Sequence, residues 1–408
     1  MKALRMERSL PRLAAARVAG TLASGRGGRV GALRLSDIDP PALPDAGWAR
    51  VRPRLAGICG SDLATVDATA SPWFEPLVSF PFVPGHEVVG DLDDGRRVVV
   101  EPVLGCEARR IEPLCPGCAR GELGRCRNVA FGHLRPGLQT GYCTDTGGGW
   151  SLALAAHTTQ LHAVPDGMAD VAAVMVEPAA CAIRGALRGD AGHDDVVAVI
   201  GAGTLGLCAV AALHRWVGPR RLLVAAKHAV QRRLASDFGA TDVVEPAGLV
   251  RAVRRATGSL AVGGGGSGGD GGEAHGGPDM QLTGGADVVV DCVGSAKSLS
   301  QALAVVRPGG RIVMVGMPGT VTVDLTPLWQ REVELVGAYA YGVEPLLGRR
   351  TFDLAFELVA EAGLDRLVSA TYPLARHADA LAHAADAGRR GAVKIAFDLR
   401  EEKGRDRL

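Results

Sequence analysis

The sequence predicts an α/β protein: a doubly wound parallel sheet with helices on both faces, preceded by an irregular, mostly β domain. Three observations predict it. Residues 1–165 carry short β-type runs broken by Gly and Pro, such as "GWARVRPRLAG" and "RRVVVEPVLG". After Pro165, apolar strand candidates alternate with helical stretches. Between one such strand and its helix sits the glycine turn "VIGAGTLG".

A chain of 408 residues is long enough for two domains. Its formal net charge is +1 with mixed signs throughout, which excludes a nucleic-acid or anionic-membrane footprint. Lys2, Arg5, Arg8, Arg12 and Arg17 interrupt any leader-like apolar run, and no window has the length of a membrane span. Nine cysteines, clustered rather than scattered, read as reduced thiols and metal ligands in a cytoplasmic protein.

Taken in order, the irregular, mostly β domain is expected at 1–165, with a cysteine lobe at about 104–128. The parallel sheet is expected at 166–321, built from "DDVVAVI", "RRLLVAAKH", "GADVVVDCVG" and "GGRIVMVGM". Within it, the glycine-rich 261–280 reads as a flexible surface insertion. Residues 322–408, with the strand-like "EVELVGAYAYG" and a closing "GAVKIAFDL", are expected to return to the first domain.

Gly201, Gly203 and Gly206 have G-x-G-x-x-G spacing, with Thr204 and Leu205 opening the helix. After a β-type run and before a helical one, this pattern indicates a dinucleotide site. The glycines permit a tight turn and close approach of a pyrophosphate, and the helix N-terminus favours its charge. The next strand should end in an acid that binds the ribose of NAD. Ala226 stands there instead, followed by Lys227 and His228, with Arg232 and Arg233 one turn on. A small residue followed by cations accepts a 2′-phosphate, so NADP is expected over NAD. The alternative is that these cations are a solvated helix start.

"GICGSD" sets Cys59 between glycines, with Ser61 and Asp62 beside it, and "GHEVVG" sets His86 and Glu87 on a Pro-Gly turn. "VEPAAC" places Glu177 in an apolar stretch, where a carboxylate needs a partner. Cys, His and Glu are all zinc ligands, although each has an ordinary packing role as well. Cys115-x2-Cys118-x7-Cys126, with Cys106 upstream, suits a closed structural zinc site.

These motifs, together with "RPGGRIVMVG", stand in the order of the zinc-dependent medium-chain dehydrogenase/reductase superfamily, which includes alcohol, polyol and threonine dehydrogenases. The resemblance covers nearly the whole chain. It implies a GroES-like catalytic domain interrupted by a Rossmann domain, with the active site in the cleft between them. It implies that Cys59, His86, Glu87 and Glu177 serve a catalytic zinc, that Asp62 orients His86, and that Ser61 takes the proton of the substrate alcohol. Cys106, Cys115, Cys118 and Cys126 would hold a structural zinc, making two per chain. A homodimer or homotetramer is implied as well.

Three departures from the family pattern stand out. Eight residues, where two are usual, separate Cys106 from Cys115. The cofactor acid is replaced by Ala226. Ala64 stands where many relatives have a histidine that passes the proton to solvent. The expected reaction is reversible hydride transfer between a primary or secondary alcohol, polyol- or sugar-like in one version, and NAD(P). The rival readings are a zinc-independent quinone or enoyl reductase of the same superfamily and a non-catalytic NADP-binding redox sensor or structural protein. Trp73, Phe74 and Trp329 are candidate pocket walls, with core packing as the alternative.

Overall fold

The computed structural model describes residues 1–262 and 281–400. The chain forms two compact units, Met1–Ala180 with Ala340–Leu408, and Cys181–Tyr339. Both boundaries fall later than expected at 165 and 321. The helix Val176–Leu187 runs across the first, so its opening turn with Glu177 belongs to the first unit. The strand Glu334–Gly337, expected in the returning segment, instead pairs parallel with Val306–Met314, placing Leu335 beside Ile312. Only after it does the chain re-enter the first unit.

In the first unit a seven-stranded sheet carries the site. Trp48–Gly57 lies at its centre, antiparallel to Val88–Leu92 on one side and to Lys394–Asp398 on the other. Ala56 faces Val88, and Gly57 faces Ala396. Because neighbours run antiparallel, the exit of the first strand and the entries of the other two share one end of the sheet. Cys59, the His86–Glu87 pair and Lys394 are therefore brought together by register alone. Gly57 is required there: a Cβ would stand 1.9 Å from Glu87 Oε2. Beneath this end, fully buried Trp150 donates from Nε1 to Gly57 O at 3.1 Å and meets Phe397 edge-on at 5.1 Å.

The mostly β reading of 1–165 misses one feature. Lys2–Met6 and Leu33–Asp37 pair antiparallel, and between them runs the helix Leu10–Leu22. The segment after the helix is held by buried Asp67, which accepts from the amides of Gly25 and Gly27 at 2.7 and 2.9 Å. This tie spans some forty residues and has no local signature.

The second unit is the expected doubly wound sheet. Its six strands are all parallel, in the order 242–244, 221–225, 196–200, 286–291, 306–314, 334–337. Every residue of Val196–Ile200 is buried, as a strand covered on both faces requires. The winding reverses between Val196–Ile200 and Ala286–Asp291, and a crevice opens beyond the carboxyl ends of such strands. Of the glycine-rich stretch, Ala261 and Val262 pair with Leu282 and Gln281. Residues 263–280 lie outside the described residues. Among the described residues, no helix is long and apolar enough to cross a membrane.

The cysteine lobe is organised around one cation. Arg109 is fully buried, and its guanidinium donates to the carbonyls of Leu104, Phe131, Leu134, Arg135 and Gly137 at 2.5–3.4 Å. It lies inside the long Cys106–Cys115 loop. That loop is thus an anchored turn, not slack between the two cysteines. Replacing Arg109 with Leu would leave several buried carbonyls unpaired, each costing ~1–3 kcal/mol. A lowered unfolding midpoint, with hydrogen-exchange protection lost first in residues 104–137, is the expected outcome. Unchanged protection there would show that the carbonyls do not depend on Arg109.

Candidate active site and cysteine lobe

Cys59 ends the extended run and caps the helix Gly60–Val66. Asp62, fully buried in the first turn, accepts the Cys59 amide on Oδ2 at 2.9 Å. Its Oδ1 lies 3.5 Å from His86 Nδ1, and neither of these buried atoms completes a hydrogen bond. With Nδ1 turned to Asp62, Nε2 is the nitrogen left for a metal. Burial pushes the His86 imidazole down, but the Asp62 carboxylate and the Cys59 sulfur outweigh it and hold it well above its usual value.

The candidate donor atoms of Cys59, His86 and Glu87 all lie within 4.8 Å of one another. Sulfur, imidazole nitrogen and carboxylate oxygen form a donor set that suits zinc with a position left open. Glu87 is also ion-paired with Lys394, and both side chains are at most 2% exposed. Lys394 Nζ donates further to Ile58 O at 3.2 Å. Burial pushes the ammonium down, and the neighbouring Glu87 more than restores it.

Glu177, expected among the ligands, is not brought into this set. Its Oε1 accepts from the Tyr341 hydroxyl, and burial pushes its carboxyl up to about 7. Ser61 sits half-buried in the turn after Cys59. Thr65 Oγ1 donates to Ser61 O at 2.9 Å and lies 3.3 Å from the Tyr142 hydroxyl. Trp73 and Trp329 are each 78% exposed, which rules out core packing for both. Phe74 is half-buried.

Cys106, Cys115, Cys118 and Cys126 converge with all four sulfurs within 4.8 Å. The Cys106–Cys126 separation is 3.8 Å. Four sulfurs placed tetrahedrally about zinc at ~2.3 Å would lie about 3.8 Å apart. Amides of Cys106, Cys115 and Asn128 point at sulfurs at 3.4–3.5 Å, and Asn128 Nδ2 reaches Cys106 Sγ at 3.2 Å. Burial pushes Cys115 up, but the Cys118 and Arg127 amides and the facing thiols bring it down to about 6. Burial raises Cys118 and Cys126, the latter to about 11. Thiols this close cannot all ionise unless a cation sits among them.

The glycine turn fits a pyrophosphate. Gly201 has φ +89°, and its Cβ would meet Val293 Cγ2 at 2.4 Å. A Cβ on Gly206 would fall 1.8 Å from Gly201 O. At Gly203 a Cβ would meet nothing within 4 Å, so backbone there faces open space. The helix Thr204–Ala212 starts at this turn, and the first amides of a helix lack partners within it. Ala226 is fully buried, and Lys227 is exposed. Arg232 donates to Lys227 O at 2.9 Å and pairs with Glu245 at 3.2 Å. Part of its charge is therefore already committed.

Sequence reasoning missed Lys394 and Tyr341. A lysine inside the buried apolar run "GAVKIAFDL" was a signal, since such a cation demands a carboxylate. Tyr341 carried no comparable mark.

Residues 45–166 match the family model of the alcohol dehydrogenase GroES-like domain, and residues 204–361 match that of zinc-binding dehydrogenases. L-idonate 5-dehydrogenase of Vitis vinifera is 27% identical, over 89% of this chain and 91% of its own. Sorbitol dehydrogenase of Arabidopsis thaliana is also 27% identical, over 89% and 92%. A Sinorhizobium meliloti 1021 structure bound to NADP, described as a zinc-binding dehydrogenase, is 25% identical, with TM-score 0.66 over 92% of this chain and 98% of that one. Two family models in sequence order, and relatives matched over nearly their full length, place this chain in the zinc-dependent medium-chain dehydrogenase/reductase superfamily.

Proposed function

We propose that this protein is a zinc-dependent, NADP-linked alcohol dehydrogenase acting reversibly on a primary or secondary alcohol, with polyol-like substrates favoured. The observation that carries the reading is the convergence of Cys59, His86 and Glu87, with Asp62 behind His86 and Ser61 on the adjoining turn. The sorbitol and L-idonate dehydrogenases among its relatives support the substrate class.

When bound, zinc would polarise the alcohol oxygen and the nicotinamide would take the hydride. Cys59, His86 and Glu87 would hold the metal, and Asp62 would fix the tautomer and orientation of His86. Ser61 would accept the hydroxyl proton. Ala64 has no group to carry that proton onward, so it leaves through water or through the carboxylates nearby. Gly201, Gly203, Thr204, Leu205 and Gly206 would cradle the pyrophosphate with backbone amides. Lys227, with what remains of Arg232's charge, would face a 2′-phosphate. Cys106, Cys115, Cys118 and Cys126 would hold the second zinc of each chain.

Metal analysis is expected to find two zinc ions per chain. Cys59→Ser should lower this to one and cut turnover about a hundredfold or more, beyond the roughly 10–100-fold that losing even an outer partner of a ligand costs. Unchanged zinc content and turnover would sink the reading. Cys106→Ser should also remove one zinc, but with its main effect on melting temperature rather than turnover. For the cofactor, the KM for NADP should lie below that for NAD. Lys227→Glu should raise the KM for NADP about tenfold or more, as expected for losing a charge-assisted contact. A clear preference for NAD in the unaltered protein would refute NADP selection.

A further inference from the structure

Glu177 lies among buried Met175, Val176, Ala179 and Ala180 and is itself 3% exposed. The hydroxyl of Tyr341, which donates to it, comes from 164 residues away. Tyr341 is equally buried, and its ring is clamped. It meets Phe352 edge-on at 4.8 Å and 90°, and Phe352 stacks on His162 at 4.6 Å. His162 Nε2 is 2.7 Å from Glu101 Oε2, which takes Arg350 at 2.7 Å as well. None of these bracing residues belongs to the Cys59–His86–Glu87 set. The hydroxyl is therefore fixed by contacts independent of any metal. Glu177 lies within electrostatic reach of His86, Glu87 and Lys394, and with Oε1 engaged by a rigid donor its carboxylate is held on that side rather than free to swing.

We propose that Tyr341 is a positioning residue of the metal centre: its hydroxyl holds Glu177 at a set place beside Cys59, His86 and Glu87. The inference rests on the zinc reading of that centre. Outer partners of this kind are typically worth about 10–100-fold in metal affinity or activity.

The test uses the zinc-loaded full-length protein with Tyr341→Phe, Glu177→Gln and the double variant. Two quantities are read: the rate at which EDTA removes zinc, and kcat and KM for one alcohol. Tyr341→Phe removes only the hydroxyl. It should speed loss of one zinc per chain about tenfold and lower kcat about tenfold, with KM nearly unchanged. In the Glu177→Gln background the same change should add less than about twofold to either quantity, because contacting residues are not additive. A tenfold effect that persists without the Glu177 carboxylate would mean that Tyr341 acts through Phe352 packing, and would overturn the proposal. So would a Tyr341→Phe protein that matches the parent in both readouts. If the parent oxidises no alcohol, the substrate reading fails. The zinc-loss comparison still decides the role of Tyr341.

Discussion

The buried ion pair between Glu87 and Lys394 is the constraint around which the first unit closes. Each charge alone in that interior would cost several kcal/mol, so neither is tolerable without the other. Glu87 arrives on the turn before Val88–Leu92, and Lys394 at the start of Lys394–Asp398, more than three hundred residues later. The first unit is thus incomplete until the chain has passed through the second and come back. Gly57 makes the pair possible, since any side chain there would occupy the space of the Glu87 carboxylate. The ammonium that pairs with Glu87 also binds Ile58 O, fixing the backbone one residue before Cys59.

The returning segment does the same for the other carboxylate. Tyr341 stands at its beginning and Lys394 near its end, and each is the partner of one buried glutamate. The two partners differ in kind. Lys394 supplies a full charge, ion-paired with Glu87 in the buried interior. Tyr341 supplies a neutral donor, and Glu177 stays high in the carboxyl range because burial outweighs it. Two glutamates that look alike in sequence, "GHEVVG" and "VEPAAC", are thereby given different electrostatic settings in one unit.

What was legible in the sequence was local. The glycine turn, the cysteine spacing and the adjacent His86–Glu87 pair each carry their geometry within a few residues, and each reappears in the structure as a formed cluster or turn. The strand alternation of the second unit was legible because buried parallel strands are continuously apolar. Glu334–Gly337 was read as a strand but assigned to the returning segment, because three of its four residues are exposed and such an edge strand lacks that signature. The Leu10–Leu22 helix was hidden by a β-type context on either side. Lys394 and Tyr341 escaped for another reason: their roles exist only across long loops, and periodicity carries nothing of a contact made at that separation. Arg109 shows the same limit in reverse. The long loop after Cys106 read only as a departure from the family pattern, whereas its buried guanidinium ties that lobe together.

The missing cofactor acid has a physical reading of the same kind. Ala226 is fully buried, with its amide donating to Val244 O at 2.9 Å, so the strand end is packed and not open. A carboxylate placed there would be desolvated, and it would need either a ribose or a cation to offset that cost. Under the proposed function, selection between the two cofactors would then fall to residues outside the packed layer. Lys227 is exposed and carries an uncommitted position at the turn, while Arg232 spends part of its charge on Glu245 and on the carbonyl of Lys227. By holding that carbonyl, Arg232 shapes the turn from which Lys227 projects. Were the cofactor NADP, Arg232 would act on its 2′-phosphate as much through the turn as through its charge, and removing Glu245 would release charge toward the phosphate without loosening the turn.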